Sequence, residues 1–229
     1  MTKKIKRLSD LLEKEYGRKA WKVHGDPLSV LIETILSQNT SDNNSHKAFA
    51  HLRSEFKNWS EARKAKVKKI ADTIRAGGLA DIKALRIKNI LNQIYEENRN
   101  LNLSFLKRWR TDRIKSWLRR FKGVGDKTTA CVLLFSLKRP AMPVDTHVLR
   151  VSRRLGLVPQ NLNATKAQAL LEKLVPGNLI YQFHLNLIAH GRMVCKAANP
   201  LCQDCVLIEN CEFGKSYLRR LKFAITNIR

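Results

Sequence analysis

Residues 112–137 read DRIKSWLRRFKGVGDKTTACVLLFSL, and the architecture follows from them. Ile114, Trp117, Leu118 and Phe121 recur at helical spacing and predict one amphipathic helix. The run ACVLLFSL is apolar almost all round and predicts a second helix, deeply buried. Only Gly123-Val124-Gly125 forms the turn between them, too tight for an ordinary loop. Glycine there permits positive φ and lets another backbone come close. The free amides at the start of the second helix, with its dipole, suit a phosphate oxygen. A plain helix–turn–helix corner has the same pattern, because G-x-G alone is weak evidence.

Working outward, nearly every other segment also reads as helix. Ile5, Leu8, Leu12 and Tyr16 share one face of a helix over 5–16, with Gly17 as its stop. Asp26-Pro27 reads as an N-cap and a first-turn proline ahead of Leu28, Leu31, Ile32, Ile35 and Leu36. Val67, Ile70 and Ile74 mark a helix closed by Gly77-Gly78, and Ile87, Ile90, Leu91 and Ile94 mark the next. No stretch alternates as a strand would. The fold class is all-α.

Charge narrows the partner. The 229 residues hold 44 Lys and Arg against 19 Asp and Glu, a net charge of +25 spread along the chain. A folded surface that positive repels itself unless an anion lies against it, so nucleic acid is the first candidate partner and an anionic membrane surface the second. No apolar run approaches the roughly 18 residues that a membrane span needs, and the charged start MTKKIKRLSDLLEKEYG lacks a signal peptide's apolar core. These features predict an intracellular, cytoplasmic protein.

Cys195, Cys202, Cys205 and Cys211 are separated by six, two and five residues. Four thiolates in so short a loop suit tetrahedral zinc or a [4Fe–4S] cluster. Zinc sites often pair two C-x₂-C knuckles, and only one is present, so the uneven spacing favours the larger cluster. Cys131, inside the apolar helix, reads as a small core residue.

Together these motifs make the chain resemble the endonuclease III family of DNA glycosylases. The resemblance covers about residues 25–213. It rests on Leu36-Ser37 through Asp42, Gly78-Leu79 with Lys83-Ala84, the hairpin GVGDKT, VDTHVLRVSRRLG at 144–156, HGR at 190–192 and the cysteine array. It implies a helix-hairpin-helix glycosylase fold, with a six-helix domain over 25–138. A [4Fe–4S] domain is implied over 1–24 and 139–213, followed by a basic C-terminal extension at 214–229. Lys127 and Asp145 match the family's catalytic lysine and aspartate. Gly123, Val124 and Gly125 match its DNA-binding hairpin. Asn39 and Leu79 match the loops that fill the space left by a flipped nucleotide. The implied partner is double-stranded DNA carrying damaged bases or abasic sites, bound by a monomer.

The implied chemistry is attack by Lys127 on the sugar's anomeric carbon, loss of the base, and β-elimination through a Schiff base. A neutral lysine is needed, and neighbouring cations with partial dehydration would lower its pKa. Asp145 also reads as a plain helix N-cap, and Lys127 by itself as a phosphate contact. His147, His184 and His190 read as structural. Lys196 and Arg192 are basic residues beside the cysteine loop, placed to meet DNA.

Three positions depart from the family pattern. Phe121-Lys122 stands where Leu-Pro is usual. Asp126 puts a negative charge beside the expected phosphate site. Asn39 replaces the glutamine usual in oxidised-pyrimidine enzymes, and SQNTS also resembles an alkylated-purine branch. That branch has no lysine at position 127, so a bifunctional glycosylase and lyase acting on oxidised pyrimidines is favoured. The alternatives are an enzyme for alkylated purines or mismatched bases, a non-catalytic damage-binding protein, and a Cys₄ zinc module on a basic scaffold.

Overall fold

The computed structural model describes residues 2–226, with side chains to residue 221. Among these residues there are helices and turns and no strand. The chain divides into two compact units, Val23–Arg139 and the combination of Met1–Lys22 with Pro140–Arg229. Residues 227–229, the end of the expected basic extension, lie outside the described residues.

The Val23–Arg139 unit begins with α2 (Pro27–Leu36), after the N-terminal helix α1 (Thr2–Tyr16) of the other unit. Asp26 caps α2 by accepting from the amides of Leu28 and Ser29, both at 3.0 Å. Pro27 costs nothing at the first position because its amide would have no helical partner. Leu28, Leu31, Ile32, Ile35 and Leu36 are all fully buried. Each such side chain stabilises the fold by about 1.5–3 kcal/mol. Truncating Ile32 to Ala would therefore cost about 2–5 kcal/mol.

There follow α3 (Asp42–Glu55), α4 (Trp59–Lys64), α5 (Val67–Thr73), a 3-10 turn at Arg75–Gly77, and α6 (Ala80–Asn98). A second 3-10 turn at Ser104–Arg108 leads to α7 (Thr111–Arg119) and α8 (Asp126–Phe135). The α2 and α8 helices pack together, α7 packs on α8, and α5 on α6. In α8 every residue from Thr128 to Leu134 is buried, as its all-round apolar pattern requires. Phe121, in the place of the usual leucine, is 1% exposed and meets Trp117 edge-on at 4.9 Å.

The other unit is built from α1, α9 (Thr146–Arg154), α10 (Ala164–Leu174), α11 (Ile180–Met193) and α12 (Glu212–Thr226). In it α11 packs against both α1 and α9. Ile5, Leu8 and Leu12 of α1 are fully buried, so the first helix is anchored by the face its spacing marks. Between α11 and α12 the chain makes two short 3-10 turns, Cys202–Asp204 and Ile208–Asn210. Helix α12 starts at Glu212 and runs across position 214, where the basic extension was expected to begin.

Candidate active site and cysteine centre

The turn between α7 and α8 places the hairpin residues. Gly123 has φ +86, in the left-handed region, and a Cβ there would lie 2.3 Å from Arg86 Nε. The group that approaches it is a guanidinium rather than a second backbone. Gly125 has φ −97 and open space where a Cβ would point. One glycine is thus needed by the fold, whereas the second leaves the amides at the start of α8 uncovered. Val124 is buried and anchors the turn between them.

Lys127 is the second residue of α8, exposed, with no hydrogen bond or ion pair among the described residues. Its neighbour Asp126 does not stand as an isolated negative charge, because Arg119 of α7 pairs with it. A net repulsion of phosphate by Asp126 is thereby offset.

Asn39 and Leu79 lie in the same unit as Lys127. Both are exposed, and both are non-glycine residues in the left-handed region, with φ 52 and 49. Such a conformation costs a non-glycine residue about 1–2 kcal/mol, so each loop is held by its surroundings. Leu79 is 51% exposed, so its side chain lies outside the core.

Asp145 belongs to the other unit. It caps α9, its Oδ1 accepting from the Val148 amide at 2.7 Å. Oδ2 has no hydrogen bond among the described residues. A capped carboxylate is fixed in direction, and one oxygen stays available for chemistry.

The same helix grips the cysteine loop at its far end. Arg150 donates from Nε to the Cys195 carbonyl at 2.9 Å and from Nη2 to the Gly191 carbonyl at 2.7 Å. Arg154, one turn on, donates from Nη1 to Cys195 Sγ at 3.3 Å and to the Lys196 carbonyl at 2.7 Å. Neither arginine was marked out by sequence reasoning, although both stand in the quoted motif at an i, i+4 spacing that puts them on one face.

Cys195, Cys202, Cys205 and Cys211 line one cavity, together with His190 and Phe213. Gly214, in the first turn of α12, lies close against the cysteine cavity. A Cβ on Gly214 would lie 2.8 Å from Ile208 Cδ1, 3.6 Å from Cys211 Sγ and 3.8 Å from Cys202 Sγ. Burial pushes the Cys205 thiol up to about 11 and raises those of Cys202 and Cys211. Among the described residues no three Cys, His, Asp or Glu side chains form the shell of a single metal ion. Four thiols lining one cavity are soft donors of the kind that thiolate-bound metal and iron–sulfur groups take.

His190, 2% exposed, sits behind this loop. Its Nδ1 pairs with the Tyr16 hydroxyl at 2.9 Å, and its Nε2 lies 3.5 Å from Cys205 Sγ. Burial lowers its pKa to about 4, which keeps the ring neutral at physiological pH. His147 contacts Arg150 Nη2 at 3.1 Å, a structural position within α9.

Residues 32–177 match the HhH-GPD superfamily of base excision DNA repair proteins. Endonuclease III of Thermotoga maritima is 37% identical over 202 residues, covering 88% of this chain and 89% of that protein. A relative from Arabidopsis thaliana is 39% identical over 190 residues, which are 79% of this chain and 65% of the plant protein. The solved structure of a trapped endonuclease III–DNA covalent intermediate superposes with a TM-score of 0.81 at 26% identity, covering 95% of this chain and 99% of that one. No helix among the described residues is long and apolar enough to cross a membrane. The chain belongs to the HhH-GPD superfamily of base excision DNA repair proteins, and within it to the endonuclease III family.

Proposed function

We propose that this chain is a base-excision DNA glycosylase with AP lyase activity, in which Lys127 is the nucleophile and Asp145 the assisting carboxylate. The observation that carries the reading is Lys127 itself, an exposed lysine with no partner among the described residues, two positions after the Gly123–Gly125 turn, in a chain of this family. It is presented to solvent at the helix end where a DNA backbone would bind.

The substrate is double-stranded DNA, with the damaged nucleotide rotated out of the stack. The Lys127 amine attacks C1′ of its sugar. The bond from C1′ to the base breaks, the base leaves with its electron pair, and the amine loses a proton. Ring opening gives a Schiff base between Nζ and C1′. The proton on C2′ then becomes acidic, and its removal expels the 3′ phosphate oxygen, cutting the strand 3′ to the lesion. Asp145 Oδ2 assists deprotonation and stabilises positive charge on the sugar. A lysine nucleophile favours the lyase, and likeness to the endonuclease III family places oxidised pyrimidines first among lesions.

Cys195, Cys202, Cys205 and Cys211 would hold a [4Fe–4S] cluster, which when bound supplies a covalent staple across the loop rather than a reacting atom. Through Arg150 and Arg154 that loop braces α9, the helix whose first turn is capped by Asp145. The test is borohydride reduction in the presence of duplex DNA with one abasic site. A covalent protein–DNA adduct is expected, with strand cleavage when the reductant is omitted. A protein that binds the duplex tightly and forms neither product is not a lyase, but a glycosylase without the lysine chemistry or a damage-binding protein.

A further inference from the structure

Lys83 is among the largest fully buried side chains of the described residues, at 2% exposure, and no carboxylate among them pairs with it. Its Nζ donates to two backbone carbonyls, Leu36 O at 2.7 Å and Gly77 O at 2.8 Å. Leu36 is the last residue of α2, three positions before Asn39, and Gly77 ends the 3-10 turn two positions before Leu79. One ammonium therefore ties together the roots of the two loops whose tips hold left-handed, exposed residues. Burying an ammonium is costly unless its protons are all well used, so a lysine here is an unfavourable way to fill space. A leucine or methionine would fill it more cheaply. Burial, and then the nearby Arg86 guanidinium, pull the Lys83 pKa below its ordinary value.

The next turn of α6 continues the network. Arg86 donates from Nη1 to Gln38 Oε1 at 2.6 Å, and Gln38 Nε2 donates to the Gly123 carbonyl at 3.0 Å. The same Arg86 occupies the space beside Gly123 that a Cβ would fill. Residues 83 and 86 of one helix thus address the Asn39 loop, the Leu79 loop and the hairpin turn, all within Val23–Arg139.

We propose that Lys83 and Arg86 are positioning residues for DNA opening, holding the Asn39 loop, the Leu79 loop and the hairpin in one fixed register before DNA arrives. The inference rests on the glycosylase reading for the roles of Asn39 and Leu79. Its physical content is preorganisation. Two tips that must enter a duplex together cannot do so if their roots move separately, and misplacement by 1 Å can cost about 100-fold in rate. Neither residue touches the DNA sugar, and neither takes part in the chemistry.

The experiment compares the full chain with Lys83→Met and Arg86→Leu on three DNAs. These are a lesion-containing duplex, a single strand with one abasic site, and a duplex carrying an uncleavable abasic analogue with 2-aminopurine opposite it. Both variants are expected to lose excision on the duplex, Lys83→Met by about 100-fold. Both should keep borohydride trapping on the single strand, which needs no opening, within a few-fold of the parent. Both should bind the analogue duplex without the rise in 2-aminopurine fluorescence that the parent produces. Arg86→Lys, which keeps a donor to Gln38, should recover most of the fluorescence rise. Arg86 is only half-buried, so its variants carry the test if Lys83→Met does not fold. Equal losses on single strand and duplex, or a fluorescence rise unchanged in folded variants, would overturn the proposal. A parent protein that raises fluorescence but is never trapped would sink the lyase reading and leave this inference standing.

Discussion

Arg154 donates to the Cys195 sulfur at 3.3 Å while its guanidinium lies 4.4 Å from the centre of the Phe213 ring. A cation hydrogen-bonded to a ligating thiolate stabilises negative charge on it, and the ring holds the cation in place. Partners of this kind are typically worth about 10–100-fold in metal affinity. With the proposed [4Fe–4S] cluster bound, Arg154→Met should therefore lose its visible absorbance faster than the parent under a chelator, by about that factor. An unchanged rate of bleaching would mean that the arginine serves only the Lys196 and Ala197 carbonyls.

Gly123 and Gly125 differ in what an added methyl would meet, so they separate folding from binding. Gly123→Ala puts a Cβ at positive φ and within 2.6 Å of three Arg86 side-chain atoms. A destabilisation of about 1–3 kcal/mol is expected in denaturant unfolding. Gly125→Ala has open space and ordinary extended backbone, so its stability should stay within about 0.5 kcal/mol of the parent. Its affinity for duplex DNA should nevertheless fall several-fold, because the methyl stands where a phosphate would approach the amides of α8. Equal DNA affinity in Gly125→Ala and the parent would remove the hairpin from the binding surface.

Asp145 caps α9, and asparagine caps a helix about as well as aspartate. Asp145→Asn should therefore keep its unfolding free energy within about 0.5 kcal/mol. Single-turnover excision should fall by about 10²–10⁴-fold, the range set by loss of a positioned acid–base group. A large fall in stability alongside the lost activity would assign Asp145 to structure instead.

Lys83 gives a pH signature. Its folded pKa is depressed below the unfolded value of 10.5, so between the two the unfolded chain binds the extra proton. Stability then rises with pH through that window and is lost again as pH falls through the folded pKa. The neutral amine still has two N–H donors for Leu36 O and Gly77 O. The stability of the parent relative to Lys83→Met should accordingly increase as pH is raised toward 10.5. A difference that stays flat, measured by thermal unfolding at each pH, would place Lys83 in a site that does not disfavour its charge.

How much of this was legible in the sequence depends on the range of the interaction. The α7–turn–α8 hairpin, the α2 start at Asp26-Pro27 and the buried face of α1 follow from local spacing and capping, and the structure has them. The cysteine loop was visible as a cluster, but its grip by Arg150 and Arg154 was not, because those contacts span more than 40 residues. Lys83 is more instructive. It falls on the face of α6 that also holds Ala80, Ala84, Ile87, Ile90, Leu91 and Ile94, a core position by spacing alone. A charge on a buried stripe was the available signal. What it bonds to depends on carbonyls 6 and 47 residues away, which no local pattern encodes. Asn39 and Leu79 were marked only by resemblance, since a left-handed φ at a non-glycine residue has no sequence signature.

Peptide mapping of the borohydride-reduced adduct reads directly which nitrogen attacks the sugar. Digestion of the trapped complex, followed by mass analysis of the cross-linked peptide, should place the sugar remnant on Lys127. The Lys127→Gln protein should give no adduct while binding the same duplex within a few-fold of the parent. A remnant on the N-terminal amine or on another lysine, or an undiminished adduct from Lys127→Gln, would contradict the account.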